Sequence, residues 1–123
     1  MDNNILIVDD EPMLLNALVD KFTREGFTTM TAKDGREGLA SALKNHPDLI
    51  LLDIIMPVMD GMAVLEELRK DPWGKDAKVI LLTNLSETEK KIAEPLLKAV
   101  VYLVKSDWKI DDVVKEVRKK LAE

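Results

Sequence analysis

One carboxylate in this chain sits among the wrong neighbours. In LILLDIIMP, residues 49–57, four apolar residues run into Asp53 and four more apolar residues follow it. A carboxylate left alone in such a run is costly to ionise, so it shifts its pKa or finds a partner. Other apolar runs end in suitable partners. Asp9 and Asp10 follow NILIV (4–8), Thr83 closes AKVILLT (77–83), and Lys105 follows VVYLV (100–104). Three carboxylates brought together repel, so either one is protonated or a cation joins them. Oxygen donors with no His or Cys favour a hard ion, Mg²⁺ or Mn²⁺, over zinc. Such an ion keeps waters and open positions that suit phosphate oxygens. A Lys and a hydroxyl on the other side would complement a tetrahedral anion. The chemistry expected is a metal-assisted phosphoryl site in which a carboxylate is the available nucleophile.

Each residue also has a plainer explanation. Asp9 or Asp10 could cap the following helix, Thr83 could be an ordinary β-branched strand residue, and Lys105 a solvated strand exit. These residues make a site only if they converge, which depends on the elements that carry them. Five short apolar runs, at 4–8, 27–32, 48–53, 77–83 and 100–104, alternate with helical patterns. In the first helix, PMLLNALVDKFTREG, Leu14, Leu18 and Phe22 lie four apart, with Pro12 in the first turn and Gly26 as a stop. DGREGLASALKN is a modest helix despite Gly38, and Met62, Leu65 and Leu68 mark a third that ends near Asp71-Pro72. SETEKKIAEPLLKA is helical by pattern, with Ser86 and Glu89 spaced as a capping box. Ile110, Val113, Val114, Val117 and Leu121 line a last helix. Near-continuous apolar strands, each followed by a helix, predict an α/β fold: a doubly wound five-stranded parallel sheet with five helices. Ligands in such sheets bind outside the carboxyl ends of the strands, where all of these polar residues fall.

Composition excludes several alternatives. The chain has 123 residues, enough for one domain with a substantial core, and is 46% hydrophobic and 33% charged. A net charge of −5 argues against direct binding to nucleic acid or anionic lipid. With no cysteine there are no disulfides, thiolate metal sites or cysteine nucleophiles. No signal peptide or membrane-length apolar run is present, so a cytoplasmic location is expected. His46 in NHPD is expected to be a solvated loop residue, Trp73 and Trp108 partial covers of the core, and KEVRKK the solvated face of the last helix.

The segments ILIVDDEP, LILLDIIMPVMDG, VILLTN and YLVKSD, in this order and spacing, resemble the receiver domains of two-component response regulators, the CheY-like family. The resemblance covers essentially the whole chain, read as a single receiver domain over residues 1–123 with strand order 2-1-3-4-5. It implies that Asp53 is the phospho-acceptor. Asp10, Asp53 and the Ile55 carbonyl would bind Mg²⁺ directly, and Asp9 would act through a metal-bound water. Lys105, the Thr83 hydroxyl and the Asn84 N–H would hold the phosphoryl group. Thr83 and Tyr102 would form the switch, and Pro57 and Gly61 would shape the loop after the acceptor. The implied partners are a sensor histidine kinase or histidine phosphotransfer protein, and an output partner or a homodimer. Output would use the face made by the fourth helical segment, the fifth strand and the last helix. Such a chain catalyses only its own phosphoryl transfer and dephosphorylation.

Some residues depart from that pattern. Ser106 follows Lys105 where most receivers have a cis proline, and a cis bond without proline costs about 3–4 kcal/mol. Asn84 stands where a small residue is usual, and the apolar Ile55 cannot orient a hydrolytic water. In AEPLLKAVVYLVK, Pro95 interrupts a helical pattern, so a short or bent helix is expected there. Val100 and Val101 either expose apolar surface on the output face or extend the buried strand. Two rival functions follow from the same residues. A phosphatase of the haloacid-dehalogenase type would also use a strand-end Asp, but needs a second Asp where Ile55 stands. A receiver fold could also serve as an interaction module that is never phosphorylated.

Overall fold

The structure, a computed structural model, describes residues 3–83, 101–104 and 109–123. Five parallel strands, β1 (Asn4–Val8), β2 (Thr28–Ala32), β3 (Leu49–Asp53), β4 (Val79–Thr83) and β5 (Val101–Val104), form one sheet in the order β2-β1-β3-β4-β5. The helices are α1 (Pro12–Arg24), α2 (Gly35–Asn45), α3 (Gly61–Lys70) and α4 (Ile110–Leu121). Among the described residues no helix is long and apolar enough to cross a membrane.

The expected count of five helices needs correction. The described residues hold four α-helices, together with a 3₁₀ turn at Gly74–Asp76 between α3 and β4. The helical pattern at 86–99, including Pro95, lies outside the described residues. The 3₁₀ turn escaped prediction because three residues are too few to display a helical period. One Arg69 nitrogen, Nη1, donates to the carbonyls of both Gly74 and Ala77 at 2.8 Å and ties this turn to the end of α3. Burial lowers the Arg69 pKa from its usual value, although a guanidinium stays charged.

Strand period sorts the core into two layers. Leu6, Val8, Ile50, Leu52, Val79 and Leu81 face one side and pack with Val64, Leu65 and Leu68 of α3 and Ala42 of α2. Ile5, Ile7, Leu49, Leu51, Ile80 and Leu82 face the other and meet α1 and α4. Both faces of β1 and β3 are therefore dry, which is why these strands read as unbroken apolar runs. On α1 the buried stripe is Leu15, Leu18 and Phe22, with Leu14 only partly buried beside it. Helix α4 buries Val113, Val114 and Val117. Asp34 and Asp60 start α2 and α3 by accepting the N–H groups of Glu37 and Ala63 at 2.8 and 2.9 Å. Across the α1–α4 seam, Lys21 bonds Asp111 at 2.8 Å, which raises the lysine pKa and lowers the carboxyl pKa.

His46 is exposed, as expected, but does more than fill a loop. It ends α2 with φ of +48° and its ring stacks on half-buried Trp73, centroids 4.3 Å apart at 9°.

Gly38 in α2 has a packing reason. A Cβ there would lie 2.8 and 2.9 Å from the two methyl carbons of Val8, a fully buried residue that directly precedes Asp9. Gly38→Ala gains up to about 1 kcal/mol of helix propensity but overpacks this contact by about 1–3 kcal/mol. Urea unfolding should therefore show a lower midpoint for Gly38→Ala, whereas the same change made on a Val8→Ala background should not lower that variant's midpoint further.

Candidate functional site

Sheet register brings the carboxylates together. Val8 of β1 pairs with Leu52 of β3, so the next residues outward, Asp9 and Asp53, stand side by side on adjacent strands. Parallel strands lie about 4.8 Å apart. By strand period both aspartates continue the row Ile5–Ile7 and Leu49–Leu51, on the side covered by α1 and α4. Strand order also reverses at β1 and β3, which makes this edge the switch point where doubly wound sheets bind ligands.

Local hydrogen bonds fix each residue. The Asp9 N–H donates to the Ala32 carbonyl at 3.1 Å, prolonging the β1–β2 pairing by one residue. Its Oδ1 accepts the Glu11 N–H at 2.8 Å, turning the chain into α1. The plain reading of Asp9 as a helix cap does not hold: the N-cap of α1 is Glu11, without a side-chain cap bond, and Asp9 only shapes the turn that leads to it. Asp53 ends β3, and the following N–H, that of Ile54, bonds the Leu82 carbonyl at 3.1 Å. The Ile55 N–H turns back toward Asp53 Oδ1 at 3.3 Å. Asp9 and Asp53 are 0% and 2% exposed, whereas Asp10 is open to solvent.

One oxygen from each of Asp9, Asp10 and Asp53 lies within 4.8 Å of the others. If both are ionised, buried Asp9 and Asp53 at that separation repel by roughly 3 kcal/mol at an effective dielectric of about 20. The donor set fits Mg²⁺. It is all hard oxygen, and ligands at about 2.1 Å from one ion stand about 3–4 Å apart, a small closure from the spacing seen. The Asp10 side, open to solvent, leaves room for the waters such an ion retains.

The other expected site residues are placed less fully. Ile55 lies beside the cluster, with its side chain 52% exposed. The backbone of Thr83 ends β4 in register with Val104, one step beyond the pairing of Asp53 with Leu82, at the same sheet edge. Tyr102 is in β5, paired with Leu81, and Val101 starts that strand. Asn84, Lys105, Ser106, Val100 and Trp108 lie outside the described residues, as do the side chains of Thr83, Val101 and Tyr102. Two features were not foreseen. Val58 in the loop after Asp53 has φ of +71°, and Gly35 lies against that loop. The Asp34-Gly35 pair announces a helix start, but no pattern along the chain says what the glycine will touch.

A family model described as the response regulator receiver domain matches residues 5–118. Among curated proteins, the "Probable transcriptional regulator ycf27" of Porphyridium aerugineum is 38% identical over 101 residues, covering 82% of this chain and 41% of that protein. The chain thus spans about two fifths of the length of the first such relatives. Among solved structures, the Francisella response regulator 1452 receiver domain superposes with a TM-score of 0.86 at 33% identity, covering 98% of both chains. TrrA from Thermotoga maritima, solved in complex with Mg²⁺–BeF, gives a TM-score of 0.82 at 36% identity, covering 98% of this chain and 99% of that one. With the carboxylate cluster at the switch point of a 2-1-3-4-5 sheet, these matches settle the family. The chain belongs to the response regulator receiver domains, phospho-accepting modules of two-component signalling whose Mg²⁺-dependent phosphotransfer ends on the module itself.

Proposed function

We propose that Asp53 is the phospho-acceptor, taking a phosphoryl group from the phosphohistidine of a sensor histidine kinase or a histidine phosphotransfer protein. The observation that carries this reading is the convergence of Asp9, Asp10 and Asp53 at the sheet edge, with Asp53 buried at the end of a rigid strand. A Asp53 oxygen forms a bond to phosphorus while the phosphorus–nitrogen bond to the imidazole breaks. The imidazole nitrogen leaves with the electron pair and takes up a proton from solvent. Strand β3 holds the nucleophile in place, so positioning supplies much of the rate. Asp10, Asp53 and the Ile55 carbonyl would hold Mg²⁺ directly, and Asp9 would act through a water. Bound there, Mg²⁺ supplies charge neutralisation for the phosphoryl oxygens. The Lys105 ammonium, the Thr83 hydroxyl and the Asn84 N–H hold the transferred group. The Mg²⁺–BeF complex of TrrA supports assigning metal and phosphoryl binding to one site.

Phosphorylation adds charge beside Thr83, and the reading makes Thr83 and Tyr102 the switch. Output passes to the side of the molecule that carries β5 and α4, the face expected to include the fourth helical segment, to a partner or to a second copy of the chain. Coupling of this kind is usually worth about 1–3 kcal/mol. Residues 1–123 act as one receiver domain, in the cytoplasm, with no direct contact to nucleic acid or membrane. An aspartate-based phosphatase is disfavoured because Ile55 occupies the place of its acid–base residue.

Three outcomes are expected. Asp53→Asn abolishes Mg²⁺-dependent labelling by a small phosphodonor, and full stoichiometric labelling of that variant would refute the acceptor assignment. Thr83→Ala still takes the label, but the amide shift changes that labelling produces in α4 fall by at least about half, in proportion to the lost coupling. Unchanged shifts would remove Thr83 from the switch. Asp10→Asn relieves repulsion, so its unfolding midpoint in EDTA rises above wild type. The same variant loses the Mg²⁺-dependent stabilisation, which for wild type is about 2.7 kcal/mol at a hundredfold excess over Kd. Equal stabilisation of both chains by Mg²⁺ would exclude Asp10 as a ligand.

A further inference from the structure

The loop from Asp53 to α3 follows a strained path. Val58 has φ of +71°, and across it the Met59 N–H donates to the Pro57 carbonyl at 2.8 Å. A bond between residues i and i+2 around a positive φ is the rare, strained form of γ-turn. A β-branched residue is a poor occupant of that region. The Val58 side chain is 68% exposed, so burial does not offset the strain. Such a conformation persists only where its surroundings impose it.

Two backbone contacts impose it. A Cβ at Gly61 would stand 2.3 Å from the Asp53 carbonyl oxygen, and the Gly61 N–H bonds the Ile54 carbonyl at 2.8 Å. The start of α3 therefore rests on the chain as it leaves Asp53. A Cβ at Gly35 would stand 1.8 Å from the Met59 carbonyl oxygen and 2.7 Å from its carbon. The first turn of α2 thus presses, backbone on backbone, against the residue that closes the turn at Val58.

We infer that Gly35 is a positioning residue for the metal centre. Its backbone holds Met59, Met59 keeps Val58 in the strained turn, and the turn fixes the loop that carries Ile55 back over Asp53. The inference rests on the reading of Asp53 and Ile55 as metal ligands. A methyl group at Gly35 displaces Met59 and lets Val58 relax to an ordinary φ. The loop then moves further than the added methyl alone demands.

The test is Mg²⁺ affinity by isothermal titration calorimetry on the full chain, read beside the urea midpoint in EDTA. Gly35→Ala should lower the affinity about tenfold or more, the scale seen when support of a metal ligand is lost. Gly74→Ala is the control, since its Cβ would stand 2.1 Å from the Leu68 carbonyl oxygen at the far end of α3. It should lower the midpoint and keep the affinity. Adding Val58→Gly to Gly35→Ala should recover most of the lost affinity, because glycine accepts the positive φ without strain and has no drive to leave it. Should Gly35→Ala not fold, Asp34→Ala loosens the same helix start without a clash by removing the bond to the Glu37 N–H. That variant should bind Mg²⁺ about threefold more weakly or worse. Wild-type affinity in Gly35→Ala or in Asp34→Ala, an equal loss in Gly74→Ala, or no recovery in the double variant would each overturn the brace. A wild-type chain that binds no Mg²⁺ would overturn the ligand reading and the brace together.

Discussion

The crowding of Asp9, Asp10 and Asp53 at one sheet edge, where ionised carboxylates repel, is the constraint around which this molecule is built. Two of the three are out of water, and each would be better solvated apart. They stay together because β1 and β3 are locked in register and buried on both faces, so neither strand can slide to separate its acid. A divalent cation turns this local penalty into binding energy, since the attraction replaces the repulsion in an already assembled site. The same arrangement explains why the site stands at the edge of the sheet and not within it: Asp10 keeps the cluster open to solvent, to the ion and to a phosphoryl group.

A second departure from local preference lies next to the first. The loop leaving Asp53 holds a valine where the backbone favours glycine or asparagine, and the start of α3 and the start of α2 confine it. Local rules are expected to fail at functional sites, where surrounding structure overrides them. Here both failures, clustered acids and a strained turn, meet at Asp53. The well-packed remainder supports them: two apolar layers, aspartate caps on α2 and α3, and the Lys21–Asp111 link between α1 and α4.

Along the chain, the strands were readable because both faces are buried, which leaves unbroken apolar runs at 5–8 and 49–52. The α1 stripe was readable only in part. Leu14 and Leu15 both reach the core, but Leu15 is buried while Leu14 sits at the edge of the stripe, a difference set by packing against the sheet. The 3₁₀ turn was too short for any period to reveal, and the expected fifth helix is not among the described elements. The partnership of His46 with Trp73 was invisible because the two are 27 positions apart, counting from 46 to 73, and meet only through the fold.

The sequence by itself determined which groups reach the sheet edge. It placed an acid pair after the first strand, an acid at the end of the third and a threonine at the end of the fourth, and it restricted the donors to oxygen. Tertiary structure decided whether they meet. Cross-strand register set Asp9 beside Asp53, the chain reversal set Asp10 at the open side, and the contact of α2 with the loop set the path beyond Asp53. The physical reason is that periodicity along a chain reports which face each residue takes. It carries no information on the register between strands or on how closely two backbones approach, and those distances control both the repulsion and the strain.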